Sequence, residues 1–94
     1  MQIRDNYAYN YIATQTTTAV DSGQGQLVRI IVTETAAGAI TIYDEAAGGT
    51  TTIIAVLKAS IAEGTYEFGV QYKAGIQIVT AAASKLTVVY SPIN

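Results

Sequence analysis

The sequence predicts an all-β protein, and three observations lead to that prediction. Side chains that suit the pleated, half-buried surface of a sheet are abundant: Thr, Ile, Val and 7 Tyr in 94 residues. Apolar and polar residues alternate along short segments, as they do in strands. Glycine-containing turns separate these segments, and no run has the length and period of an ordinary helix.

The first half of the chain predicts the earliest strands and the first turns. Residues 7–13 alternate so that three tyrosines share one face of an extended segment, and residues 16–20 continue it. Gly23 and Gly25 form the first turn, because glycine tolerates positive φ. Residues 27–33 are apolar on both faces, which predicts a central strand. After a turn at 36–38, residues 39–44 are expected to complete a hairpin with that strand.

The second half continues the same pattern. Residues 51–57 are apolar on both faces, and we place them at the core; residues 58–64 form a connector long enough for one helical turn. Residues 65–72 alternate most regularly, and residues 76–80 and 86–90 complete the series before Pro92 ends it. We expect the hydroxyls of Tyr66, Tyr72 and Tyr90 to reach water at the rim of the core.

These segments predict seven or eight short strands in one domain that spans residues 1–94. The connections are too short for parallel crossovers, which favours antiparallel pairing. The expected fold is an antiparallel β-sandwich, either immunoglobulin-like or jelly-roll-like. Residues 1–10 are either a docking arm or an edge strand of this sandwich.

Charge depletion is the main departure from ordinary composition. Charged residues make up 13% of the chain, against about 25% in typical domains. Interface cores are depleted in charge, so we expect partners to cover part of the surface; the alternative is a sheet surface rich in Ala and Thr. A net charge of -2 predicts no nucleic-acid or membrane partner. The chain shows no apolar run typical of a signal peptide or transmembrane helix, which predicts cytoplasmic synthesis.

The chemistry of the side chains argues against catalysis. The chain has 0 His and 0 Cys, which removes the commonest general base and the thiolate nucleophile. Adjacent Asp44 and Glu45 supply too few oxygen ligands for Ca²⁺, and neighbours such as Ser84 and Lys85 point to opposite faces of a strand. We therefore expect no enzyme activity, no catalytic residue, no metal and no cofactor.

Tyr7, Tyr9 and Tyr11 are the richest candidates for binding. Tyrosine is enriched in binding hot spots because it combines a large contact area with a polar hydroxyl. The three residues either form an edge strand packed on its own sheet or dock against a neighbouring subunit.

Several segments resemble small virion proteins of tailed bacteriophages, of the capsid cement or decoration kind. They are YIAT at 11–14, SGQGQL at 22–27, RI at 29–30, GAITIYD at 38–44, GIQIVT at 75–80 and LTVVY at 86–90. The segment at 29–30 adds Arg29 to the interface candidates.

The resemblance implies a β-sandwich that binds the major capsid protein on the outer capsid surface of the virion, as a homo-oligomer with a trimer favoured. It supplies no catalytic residues. The alternative role is a tail-fibre, baseplate or head-fibre accessory module, including one that binds glycans.

Overall fold

The structure is a computed structural model that describes residues 7–46, 48–49 and 51–92. These residues form eight strands and contain no helix, which confirms the expected fold class. The strands are β1 (Ala8–Ile12), β2 (Thr17–Ser22), β3 (Gly25–Glu34), β4 (Ile40–Tyr43), β5 (Ile53–Leu57), β6 (Gly64–Tyr72), β7 (Gly75–Thr80) and β8 (Lys85–Pro92).

The strands form two four-stranded antiparallel sheets. The first sheet has the order β1-β8-β3-β6, and the second has the order β2-β7-β4-β5. The pairs β1–β8, β2–β7, β3–β6 and β4–β5 are nested, so that the first strand pairs with the last and the innermost two pair with each other. This is the strand order of a jelly roll, which decides between the two expected kinds of sandwich.

The core lies between the inward faces of the two sheets. Alternation along the strands places their apolar side chains there, since successive residues point to opposite faces. The buried apolar residues include Ile12, Leu27, Ile30, Val32, Ile40, Ile42, Leu57, Tyr72, Ile76, Ile78, Leu86 and Val88.

Strand β3 is central, as the sequence predicts. It pairs with β6 on one side and β8 on the other, and its register with both shifts between Leu27 and Arg29. The shift occurs where Val28 is an extra residue relative to β8, and Val28 is itself buried. The apolar run on β3 therefore reflects both a central position and a bulge.

The hairpin expected between β3 and β4 is wrong. Strand β3 belongs to the first sheet and β4 to the second, so the residues between them cross from one sheet to the other. A Cβ on Gly38 would lie 2.6 Å from the backbone nitrogen of Ala82, so the crossing packs closely on the β7–β8 connection. A short glycine-containing loop fits a hairpin and a crossing equally well, and sheet pairing decides between them.

The expected core position of residues 51–57 is also wrong in part. Strand β5 is an edge strand, and the side chains of Ile53 and Val56 are 56% and 53% exposed. Only the other side of the strand packs on the core, through Ile54, Ala55 and Leu57.

Two smaller expectations need correction. Tyr72 is 1% exposed and its hydroxyl donates to the Asp21 carboxylate, so it is a core residue and not a rim residue. The connector at 58–64 contains turns without a helix.

The part of the chain that the structure describes has no helix long and apolar enough to cross a membrane.

Residues 8–10 of the N-terminal segment belong to β1, which lies at the edge of the first sheet. Strand β1 pairs along its length with β8, from Ala8 opposite Tyr90 to Ile12 opposite Leu86. Residues 1–6, for which a docking arm was the alternative expectation, lie outside the described residues.

Candidate functional site: a tyrosine surface on the first sheet

The four residues proposed from sequence lie together on the outer face of the first sheet. Tyr7, Tyr9 and Tyr11 are 47%, 72% and 54% exposed. Alternate residues of a strand point to the same face about 7 Å apart, so these rings form a row along the edge of the sheet. We call the tyrosine surface the patch formed by Tyr7, Tyr9, Tyr11, Arg29, Ile31, Thr87 and Val89.

Strand pairing extends the tyrosine row across the sheet. Tyr9 lies opposite Val89 on β8, which in turn lies opposite Arg29 on β3. A second row of outward-facing residues crosses the same three strands, because Tyr11 lies opposite Thr87 and Thr87 lies opposite Ile31. Side chains that are directly opposed in a sheet touch, so the patch is continuous over three strands.

Arg29 joins the patch through two contacts. Its guanidinium carbon lies 5.9 Å from the centre of the Tyr7 ring, within the range of a cation–π interaction. Its Nε donates to Glu67 Oε2 on β6 at 3.0 Å. Arg29 is thus held between an aromatic ring and a carboxylate, which fixes its position on the sheet.

A second ion pair lies at the other end of the surface. Lys85 Nζ is 2.8 Å from Glu34 Oε1. The hydrogen bond that Lys85 donates to Glu34, the negative charge of Glu34 and the nearby Tyr11 raise the pKa of Lys85. Arg29 and Lys85 therefore both have carboxylate partners, so the charges at the border of the patch cancel. The centre of the patch is aromatic and apolar.

This arrangement suits contact with a protein surface of little charge. Tyrosine and arginine supply large contact areas with polar ends, which is the composition of hot spots. Ile31, Thr87 and Val89 were not among the sequence candidates. Alternation along residues 86–90 places Thr87 and Val89 on the face opposite Leu86 and Val88, but only the β1–β8–β3 pairing brings them beside the tyrosines.

The adjacent acids Asp44 and Glu45 stabilise loops. Asp44 Oδ1 accepts the backbone N–H of Lys73 at 2.9 Å and of Ala74 at 2.8 Å, which ties β4 to the β6–β7 connection. Burial alone would raise the pKa of Asp44, but the N–H groups of Ala74, Lys73 and Gly75 and the Lys73 charge lower it overall.

Glu45 acts within its own loop. It accepts from Thr51 Oγ1 at 2.6 Å and from the Thr52 N–H at 2.9 Å, and these bonds lower its pKa. Over the described ranges, no three His, Cys, Asp or Glu residues are grouped as metal ligands would be.

The other described carboxylates also have donors. Asp21 accepts from Tyr72, Glu34 from Lys85, Glu63 from the Thr35 N–H and Glu67 from Arg29. Ser84 is fully buried whereas Lys85 is exposed, as expected for neighbours that point to opposite sides. The acids thus serve as acceptors that hold strands and loops in place.

A shallow cleft of about 250 Å³ opens at the end of the sandwich that carries the β2–β3 and β6–β7 turns. It is lined by Gln24, Gly25, Gln71, Tyr72 and Lys73. The Tyr72 hydroxyl is already bonded to Asp21, so the amides of Gln24 and Gln71 and the Lys73 ammonium are its remaining polar groups.

No family model matches the chain, and no curated protein matches it.

Proposed function

We propose that this protein is a non-enzymatic structural protein of a tailed-phage virion, a capsid cement protein that binds the major capsid protein on the outer capsid surface. The observation that carries the proposal is the tyrosine surface: three exposed aromatic side chains and Arg29 on one face of a stiff sheet. The charge depletion of the chain and the resemblance of its segments to phage cement proteins support the same role.

The size of the tyrosine surface fits a role in many copies. The strands are ~4.8 Å apart and the tyrosine row is ~15 Å long, so a face three strands wide covers roughly 200 Å². Stable interfaces use about 800 Å² per partner, so a single contact through this face is weak. A lattice with many equivalent sites compensates, because an oligomer that engages several sites gains avidity.

The jelly-roll architecture also suits the role. A closely paired β-sandwich presents its face without rearrangement, so little conformational entropy is lost on binding. The fold alone supports many functions, and viral capsid and lectin domains are both among them. The tyrosine surface, together with the resemblance, therefore carries the choice of function.

Co-sedimentation with heads of the phage that encodes the chain tests the proposal. We expect wild-type protein to bind expanded heads and the double variant Tyr9→Ser/Tyr11→Ser to lose at least about tenfold in affinity. Val70→Ser on β6 is the matched control, since Val70 is 37% exposed and lies outside the surface. The proposal is overturned if wild-type protein does not bind heads, or if the tyrosine variant binds as well as the control.

A glycan-binding accessory module of a tail fibre, baseplate or head fibre is the second candidate, and the cleft beside Gln24, Gln71 and Lys73 is the observation that favours it. In that case saturable binding to a host glycan would be lost in Gln24→Ala/Gln71→Ala and retained in the tyrosine variant. The two candidates therefore predict opposite sensitivities to the two sets of substitutions.

A further inference from the structure

Among the residues that the structure describes, the free edge of β5 differs from the other free sheet edges. Its residues, Ile53–Leu57, include no charge, glycine or proline, and Ile53 and Val56 are more than half exposed. By contrast, β2 contains the charged Asp21, and β6 contains Glu67 and the left-handed Gly69. The remaining edge, β1, carries the tyrosine surface. Exposed apolar sheet edges without charged residues are the ones that pair with another chain.

The two faces of β5 are unequally filled. Val56 lies opposite Thr41 and Ile53 opposite Tyr43, and both face outward from the sandwich. Ile54 and Ala55 both pack toward the core, because the register shifts between Ile42 and Tyr43. Along the free edge, Ile53 and Val56 therefore point outward and the two residues between them point inward. This pattern is symmetrical about its centre.

We propose that β5 pairs with β5 of a second copy of this chain, antiparallel and about a two-fold axis between Ile54 and Ala55. In this register Ile53 lies opposite Val56 of the partner subunit, and Ile54 lies opposite Ala55 of the partner subunit. Each outward side chain then meets an outward one and each inward side chain an inward one. A two-fold contact of this kind is self-complementary, because the same patch serves on both subunits.

Charge complementarity supports the same register. Continuing the pairing places Lys58, which is exposed, opposite position 51 of the second copy. The Glu45 carboxylate lies beside that position, since it accepts from Thr51 Oγ1 at 2.6 Å and from the Thr52 N–H at 2.9 Å. The register thus brings each Lys58 toward the Glu45 carboxylate of the partner subunit, two opposite-charge approaches in the dimer. A parallel arrangement would instead place the two Lys58 ammonium groups side by side, which is unfavourable.

This inference goes beyond the proposed function and does not depend on it. The contact uses the second sheet, so the tyrosine surface on the first sheet stays accessible in the dimer. The contact gives an even number of subunits, and in this it departs from the trimer that the resemblance implies. A two-fold dimer would present two tyrosine surfaces, so it would bind a lattice of equivalent sites with higher avidity than a monomer.

Sedimentation equilibrium of the purified full chain tests the contact. We expect the 9.9 kDa chain to form a dimer as its concentration rises, and Val56→Lys to weaken the dimer by about tenfold or more. Val70→Lys, which places the same charge at an exposed valine on β6, should leave the dimer unchanged; circular dichroism of each variant checks folding. A monomer at every concentration, a defined trimer, or equal dimerisation of Val56→Lys and Val70→Lys would overturn the inference.

Cysteine cross-linking tests the register. The chain has 0 Cys, so Ile53→Cys and Val56→Cys each introduce a single thiol. Because directly opposed side chains lie close enough to bridge, mixing these two variants under mild oxidation should give mainly the mixed disulfide. Ile53→Cys mixed with Val70→Cys is the control. If the first mixture cross-links no better than the control, the proposed register is wrong even when a dimer forms.

Discussion

At the scale of single residues, polar side chains in this protein act mainly as fasteners between elements that are distant in sequence. The Tyr72 hydroxyl bonds the Asp21 carboxylate, and both burial and this partner raise the pKa of Tyr72. The Thr80 Oγ1 lies 2.6 Å from the Thr14 carbonyl and accepts the Thr16 N–H at 2.9 Å. Gln77 is buried on β7 and bonds the backbone of Gly48 and Gly49. Each such contact replaces hydration that the buried group has lost.

Asp44 makes the stability of the protein depend on pH in the acid range. Its pKa is lowered below the ordinary 3.8 in the folded protein. A carboxyl group of this kind stabilises the fold at all pH values above its unfolded pKa, and the contribution disappears as pH falls through the folded pKa. We expect Asp44→Asn to lower the free energy of unfolding by about 1 kcal/mol at pH 7, since solvent screens this partly exposed group.

The Asp44 prediction is checked by urea unfolding at several pH values. The difference between wild-type protein and Asp44→Asn should be constant near neutrality and should shrink below about pH 4. Glu67→Gln is the control, because it breaks an exposed ion pair of the kind that contributes little. A difference that persists unchanged into strong acid would contradict the assignment to the carboxylate.

At the scale of elements, the first residue of β3 must be small, because its neighbours leave no room for a side chain. A Cβ on Gly25 would lie 2.3 Å from the Tyr72 Oη and 2.8 Å from the Ser91 carbonyl oxygen. Gly25 lies opposite Tyr72 on β6 and opposite Pro92 on β8, so a shift on either side disturbs the sheet. Gly25 thus allows three strands to approach where the tyrosine ring covers the end of the core.

We expect Gly25→Ala to destabilise the protein by about 1–3 kcal/mol, the usual cost of overpacking. Tyr72→Phe alone should also destabilise it, because Asp21 loses its donor. In combination the two changes should cost less than their sum, since removing Oη relieves the closest contact of the new methyl group. Chemical denaturation of the four proteins in the cycle measures this coupling, and strict additivity would show that Oη does not limit the space at Gly25.

At the scale of the whole molecule, the nested pairing makes the two ends of the chain interdependent. Strand β8 lies between β1 and β3, so the last strand is interior to the first sheet and not an appendage of it. Leu86 and Val88 on β8 are fully buried in the common core. Most contacts of the fold therefore join residues that are far apart in sequence, a topology that folds slowly.

Removal of residues 85–94 should therefore abolish the fold, as seen by loss of the β-sheet circular dichroism signal and of a cooperative thermal transition. Deletion of residues 1–7 is the control, since it leaves all eight strands of the described residues intact. A β8-deleted chain that still unfolds cooperatively would show that the second sheet is stable alone, contrary to the single shared core.

The features that could be predicted from sequence are the local ones. Alternation is a property of a few consecutive residues, so the strands, their inward residues and the shared face of Tyr9 and Tyr11 follow from it. Charge depletion and the absence of His and Cys likewise require no structure. The side on which a strand presents its residues is thus determined before any pairing is known.

Strand pairing is non-local, and the order of the strands became known only from the folded structure. The turn at Gly38 was expected to close a hairpin and instead crosses between sheets, and β5 was expected in the core and instead lies at an edge. Arg29 meets Tyr7 only because β8 lies between β1 and β3. Local alternation is enough to predict an all-β chain with a row of tyrosines on one strand face. The order of the strands made that row part of a continuous surface and placed β5 at an edge of the second sheet. The reason is that hydrogen bonding between distant segments, and not local propensity, sets which strands become neighbours.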